Sequence, residues 1–123
     1  MWRGVEILDM DLWQQIEQKI KELDVSVKAL RKTGTEFATA ERDYKQRLRE
    51  EALKLKSEGM AVTLIDKVIY GIPEVAELRF KRDVCETVYQ ANQESINVLK
   101  LNIRIIESQL QREWGVAKYD GIK

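Results

Sequence analysis

Two stretches of this sequence hold one rhythm without slipping. From Trp13, apolar residues recur at alternating steps of three and four: Trp13, Ile16, Ile20, Leu23, Val27, Leu30, Gly34, Phe37, Glu41, Tyr44, Leu48, Glu51 and Leu55. Ten of these thirteen positions are apolar or aromatic. After Pro73 a second track runs through Val75, Leu78, Arg82, Cys85, Tyr89, Asn92, Ile96, Leu99, Ile103, Ile106, Leu110 and Glu113. Alternation of three and four is the seam of a coiled coil, because it returns to one side of a helix every 3.5 residues. Two such helices joined by a short connection bury their seams by folding back antiparallel. The fold class expected is all-α. It is a long, coiled-coil-like antiparallel hairpin with a short helix at the bend, assembled into a homo-oligomeric helical bundle or ring.

The punctuation sets the expected boundaries. Asp9 or Asp11 suits the cap of a first helix over residues 11–57, about 70 Å long at 1.5 Å per residue. Gly34 lies on the seam and is a weak point, where two helices hinged at the glycine are the alternative to one. Gly59 suits the position just past the helix end. In "GMAVTLIDKVIYGIP", Thr63 and Asp66 have the spacing of a capping box, with Leu64, Ile65, Val68 and Ile69 following at helical spacing. That predicts a short helix over residues 64–70, ended by Gly71, with its apolar face plugging the bend or receiving a partner. Pro73 fits the first turn of a second long helix over residues 73–114, which Gly115 ends. Residues 116–123, "VAKYDGIK", are expected to form a flexible tail. The 123 residues make a single helical domain.

Helix two carries another stripe beside its seam: Val84, Val88, Ala91, Ser95, Val98, Asn102 and Ile105. The matching positions of helix one are Lys19, Glu22, Ser26, Ala29, Thr33 and Glu36, so only helix two has a second apolar face. That face needs a partner, and another copy is the simplest one. Val84, Val88, Ala91, Val98 and Ile105 are the expected oligomer interface. Arg82 and Glu41 interrupt the two seams within about two turns of each other, as polar residues that set register do.

Several kinds of chemistry have no material to work with. There is no histidine, which removes the usual general base at neutral pH. One cysteine, Cys85, makes neither a disulfide nor a zinc site, and on an apolar seam it reads as an inert thiol. No glycine-rich phosphate loop follows a strand. No catalytic residue, metal or cofactor is expected, and the chain is not read as an enzyme. No apolar run approaches the length that spans a bilayer, and the first residues are too acidic for an export signal. With no disulfide to form, a cytoplasmic setting is the expected location.

Charge remains. Lys plus Arg equals Asp plus Glu, 21 each. Residues 42–82, however, hold ten bases against seven acids. The ten are Arg42, Lys45, Arg47, Arg49, Lys54, Lys56, Lys67, Arg79, Lys81 and Arg82, with Tyr44, Tyr70 and Phe80 among them. Bases interleaved with aromatics are what contact with a single strand requires, through phosphates and stacked bases. These ten are the candidate nucleic-acid-binding residues.

The runs "ERDYKQRLREEALKLKSEGMAVTLIDKV" and "VAELRFKRDVCETVYQANQESINVLKLNIRIIESQLQREWG" resemble small proteins of tailed bacteriophages encoded near recombination genes. More distantly they are similar to the UvsY family of recombination mediators. A basic first helix, a glycine-marked connection and a closing helix ending in Trp114-Gly115 carry the resemblance, over residues 40–115. It implies a ring-like oligomer that binds single-stranded DNA and helps a recombinase displace single-strand-binding protein in the bacterial host cytoplasm. The short apolar bend and the neutral net charge depart from that pattern. Without it, the chain reads as a coiled-coil structural or adaptor protein that grips a protein partner. The WXG-type secreted hairpins do not fit, because their Trp-x-Gly lies in the turn.

Overall fold

The computed structural model describes the backbone of residues 2–121 and the side chains of residues 10–115. All regular structure among the described residues is helical. Helix α1 spans Trp2–Ser57 and α2 spans Val62–Val68, which runs on into a 3-10 turn, Ile69–Gly71. Helix α3 spans Pro73–Gly121.

Helix α1 begins at Trp2, ahead of the expected start. Asp11 does not cap it; its Oδ2 accepts a hydrogen bond from Gln15 Nε2 at 3.0 Å, within the helix. The side chain of Asp9 lies outside the described residues. Gly34 does not interrupt α1 either. Around it the "RKTGTEF" stretch stays helical with its hydroxyls satisfied: Thr35 Oγ1 donates to the Arg31 carbonyl at 2.7 Å and Thr33 Oγ1 to Asn92 Oδ1 at 2.8 Å. The absent side chain at Gly34 makes room for Tyr89. A Cβ there would stand 3.1 Å from Tyr89 Cε1, tighter than ordinary contact. The glycine is a notch for an aromatic ring rather than a hinge.

The end of α1 follows the expected chemistry. Gly59 has φ of 90°, a left-handed conformation that costs a side-chain-bearing residue about 1–2 kcal/mol. Met60 N donates to the Leu55 carbonyl at 3.1 Å and Gly59 N to the Lys56 carbonyl at 3.0 Å, which is the Schellman pattern. Lys54 and Lys56 sit in this last turn, at the negative end of the helix dipole. Helix α2 departs from expectation by starting at Val62. Its N-cap is Ala61, with no side-chain cap, so Thr63 and Asp66 form no capping box. The extended backbone of Ala61 (φ −65°, ψ 142°) makes the turn, and Leu64 N and Ile65 N both reach its carbonyl at 3.0 Å. Helix α3 starts at Pro73 as expected. It continues through Gly115 to Gly121, so residues 116–121 are helical backbone where a loose tail was expected. An interior glycine costs about 1 kcal/mol relative to Ala, too little to end a helix by itself. Side chains of residues 116–123 lie outside the described residues.

The chain forms two compact units. One is Leu30–Asn92; the other combines Met1–Ala29 with Gln93–Lys123. In the first, α1 and α3 run antiparallel: Thr33 meets Asn92, Phe37 packs on Tyr89 with ring centroids 5.9 Å apart, and the Arg82 guanidinium lies 4.7 Å from the Tyr44 ring. Ala40, Tyr44, Ile65, Ile69 and Val75 are buried there. Helix α2 therefore turns Ile65 inward and leaves Val62, Leu64 and Val68 exposed. In the second unit, Leu12 and Ile16 of α1 form one apolar cluster with Ile106 and Leu110 of α3.

The α3 seam is buried or half-buried at every position that the heptad track assigned to it, from Val75 to Glu113. The α1 seam is not. In the second unit, Leu12 and Ile16 are buried while Trp13, Ile20 and Val27 remain 52%, 50% and 49% exposed. Lys19, Glu22, Ser26 and Ala29, the positions taken for an outer polar flank, are half-buried instead. Within this unit α1 is buried or half-buried along Leu12, Ile16, Lys19, Leu23 and Ser26, a three-four row that shares Ile16 and Leu23 with the expected track and puts Leu12 inward in place of Trp13.

Candidate functional surfaces

The ten candidate bases all lie in the Leu30–Asn92 unit. Arg42, Lys45, Arg47, Arg49, Lys54 and Lys56 are on α1, Lys67 on α2, and Arg79, Lys81 and Arg82 on α3. Four of them are engaged by nearby acids. Arg42 pairs with Asp43 at 3.1 Å, Lys45 with Glu41 at 3.4 Å, and Arg82 with Asp83 at 2.8 Å. Arg47 reaches Glu51 at 3.2 Å and Glu50 at 3.7 Å. The two polar seam residues thus do not pair with each other: Glu41 takes Lys45, and Arg82 takes Asp83 and the face of Tyr44. Across a seam, a salt bridge would bury two charges at a desolvation cost that their neighbours on the same helix avoid.

The other six, Arg49, Lys54, Lys56, Lys67, Arg79 and Lys81, are exposed and form no ion pair among the described residues. Their charge faces solvent and is open to an external anion. The aromatics divide in the same way. Tyr44 is only 5% exposed and cannot serve as a stacking platform. Tyr70 and Phe80 are exposed. The Arg79 guanidinium lies 5.1 Å from the Tyr70 ring centroid, a cation–π pair joining the 3-10 turn to the start of α3. That pair brings a base and an aromatic face together on the surface. The two stand nine positions apart in sequence, and neither heptad track contains them, so periodicity had no means of finding it.

The candidate interface residues are exposed where the stripe predicts. Val84, Val88 and Ala91 lie on α3 in the Leu30–Asn92 unit, and Val98 and Ile105 on α3 in the other. The second unit holds more apolar surface than the sequence suggested. Trp13 and Ile20 of α1 join Ile16, Leu110 and Trp114 around an open hollow of about 520 Å³, with Glu107 and Gln111 at its edge. Elsewhere in this unit the Asp24 carboxylate, 2.8 Å from Lys28 Nζ, holds that ammonium above its usual pKa in a fully solvated pair.

Among the described residues, no group of three or more His, Cys, Asp or Glu side chains is placed to hold a metal. No helix among them is long and apolar enough to cross a membrane. Comparison with protein-family models, with curated proteins and with solved structures found nothing that matches this chain.

Proposed function

We propose that this chain is a recombination accessory protein that binds single-stranded DNA as an oligomer and works beside a recombinase and single-strand-binding protein. One observation carries the reading. Six of the ten candidate bases are exposed and form no ion pair among the described residues, and one of them, Arg79, lies on the exposed ring of Tyr70. Unpaired bases supply phosphate contacts, and an exposed ring with an arginine over it supplies a stacking surface for a base. Repetition of the cluster in an oligomer multiplies weak contacts along one strand.

The test is anisotropy of a labelled thymidine oligonucleotide at rising salt. Six phosphate contacts give a slope of log K against log salt of about −4 per chain, at about −0.7 for each contact to a single strand. Tyr70→Ala weakens binding about 5- to 150-fold, corresponding to about 1–3 kcal/mol per stacked base. Lys45→Ala, which removes an already paired base, changes it little. Absence of binding at low salt with tens of micromolar protein overturns the proposal.

A second reading has its own support. The Leu30–Asn92 unit carries twelve bases against eleven acids, and Leu53, Val62 and Leu64 are exposed near the bend. A nearly neutral surface with an apolar patch suits a coiled-coil adaptor that grips a protein partner. Under that reading Leu64→Asp abolishes partner capture while DNA is never bound.

A further inference from the structure

Among the described residues, the Leu30–Asn92 unit holds two arginine–tyrosine pairs, and they differ in one respect. In the Arg82–Tyr44 pair the ring is 5% exposed, so no ligand reaches it. In the Arg79–Tyr70 pair the ring is 44% exposed. A guanidinium covers one face of a ring and leaves the other for an incoming flat group. Both partners stand on fixed mounts. Ile69, next to Tyr70, is 3% exposed, and Val75, one turn before Arg79, is fully buried. Between them Ile72 N donates to the Ile69 carbonyl at 3.2 Å and Ala76 N to the Ile72 carbonyl at 2.9 Å. The third aromatic among the candidate bases, Phe80, is 65% exposed and has no ring or cation partner among the described residues. Of the three, Tyr70 alone is both held in place and open.

We infer that this pair makes the chain choose an unpaired strand over a duplex, with Tyr70 as the platform for one base and Arg79 as the residue that positions the ring. The inference rests on the nucleic-acid reading above and adds to it the choice between strand states. The exposed bases cannot make that choice. They meet phosphates, and a duplex offers phosphates at high density, one charge per about 1.7 Å of its axis. Each phosphate contact also releases more counterion from a duplex than from a single strand, with salt slopes of about −0.9 and −0.7. Charge alone therefore favours the duplex if it favours either. A stacking ring reverses the preference. In a duplex each base has its faces covered by its neighbours, and taking one out costs unstacking and unpairing. An unpaired base has a face to offer, and every base has one, so the platform selects strand state without reading sequence. The held ring also loses less freedom on binding than an unsupported one such as Phe80. Lysine at position 79 would keep the charge but lacks the planar group that lies flat on a ring.

The experiment measures anisotropy of a labelled oligothymidine and of a labelled duplex of equal length, with the full chain at one salt concentration. The native chain favours the single strand. Tyr70→Ala cuts single-strand affinity about 5- to 150-fold and leaves duplex affinity unchanged, so the preference falls by the same factor. Tyr70→Phe keeps the preference, because the ring is used and the hydroxyl is not. Tyr70→Leu keeps apolar bulk without a π-face and loses the preference, which decides the matter if the alanine variant loses its helices. Phe80→Ala leaves the preference as it was. Arg79→Lys lowers the preference in the native chain and has no effect on it in the Tyr70→Ala chain, the pattern of a residue that acts through the ring. A Tyr70→Leu chain that keeps the preference, or that loses strand and duplex together, overturns the inference. So does a native chain that binds both substrates equally, an outcome that leaves the nucleic-acid reading standing. Binding of neither substrate at low salt overturns that reading and this inference with it.

Discussion

At Gly34, two requirements meet on one residue. The helix asks for a side chain, because glycine costs about 1 kcal/mol in a helix interior. Tyr89 asks for none, since its ring edge would lie 3.1 Å from the added carbon. Gly34→Ala is therefore close to neutral in the native background, and Gly34→Leu destabilises by about 1–3 kcal/mol through overpacking. With Tyr89→Ala in place, Gly34→Ala gains about 1 kcal/mol of helix propensity. Denaturant midpoints at unchanged slope measure all three. A glycine that served as a hinge would show the same response to Ala with or without Tyr89. The Arg79–Tyr70 pair belongs to this scale too. Its geometry depends on a single 3-10 turn placing Tyr70 beneath a residue of the next helix.

Helix boundaries follow from backbone groups that lack partners. Gly59 and Pro73 act as expected because each fills a position that few other residues fill well: a left-handed conformation in one case, a missing N–H in the other. Thr63 has the right chemistry for a cap, but α2 has already begun before it. Ala61 has the extended backbone of a cap residue without a side-chain acceptor. Ala61→Asp therefore stabilises the protein by about 0.5–2 kcal/mol, the usual worth of a cap, and Thr63→Ala changes it by less than about 0.5 kcal/mol. Thermal midpoints of the two variants distinguish a cap at 61 from a cap at 63. The α1 seam shifted without changing its period. A track of alternating threes and fours shares every second member with its neighbour, so Ile16 and Leu23 fit both readings, while Leu12 against Trp13, Lys19 against Ile20 and Ser26 against Val27 separate them.

For the molecule as a whole, stability comes from the faces between α1 and α3 within each unit. Ile105 and Ile106 put this plainly: the same residue type, one position apart, 48% and 7% exposed. Ile106→Ala costs about 2–5 kcal/mol, because it opens a cavity among Leu12, Ile16 and Leu110. Ile105→Ala costs less than about 0.5 kcal/mol at concentrations too low for association. Chemical denaturation of the two variants at low and high protein concentration reads both the seam and the candidate interface. At high concentration the native chain gains stability by mass action if copies dock, and Ile105→Ala loses that gain.

The sequence by itself determined the helical class, the antiparallel return, the stop at Gly59, the start at Pro73 and the whole seam of α3. Each of these depends on local backbone chemistry or on a period, and both are written along the chain. Tertiary structure decided which neighbour of Ile16 faces inward, why Gly34 is small, which bases remain unpaired, and that Tyr70 meets Arg79. Those outcomes depend on contacts between residues far apart in sequence, such as Leu12 and Ile16 with Ile106 and Leu110. Trp13 shows the difference most clearly. Its place in the pattern is that of a core residue, yet in its own unit Leu12 is buried and Trp13 is 52% exposed. The largest side chain in the track becomes surface, on one wall of the hollow beside Trp114.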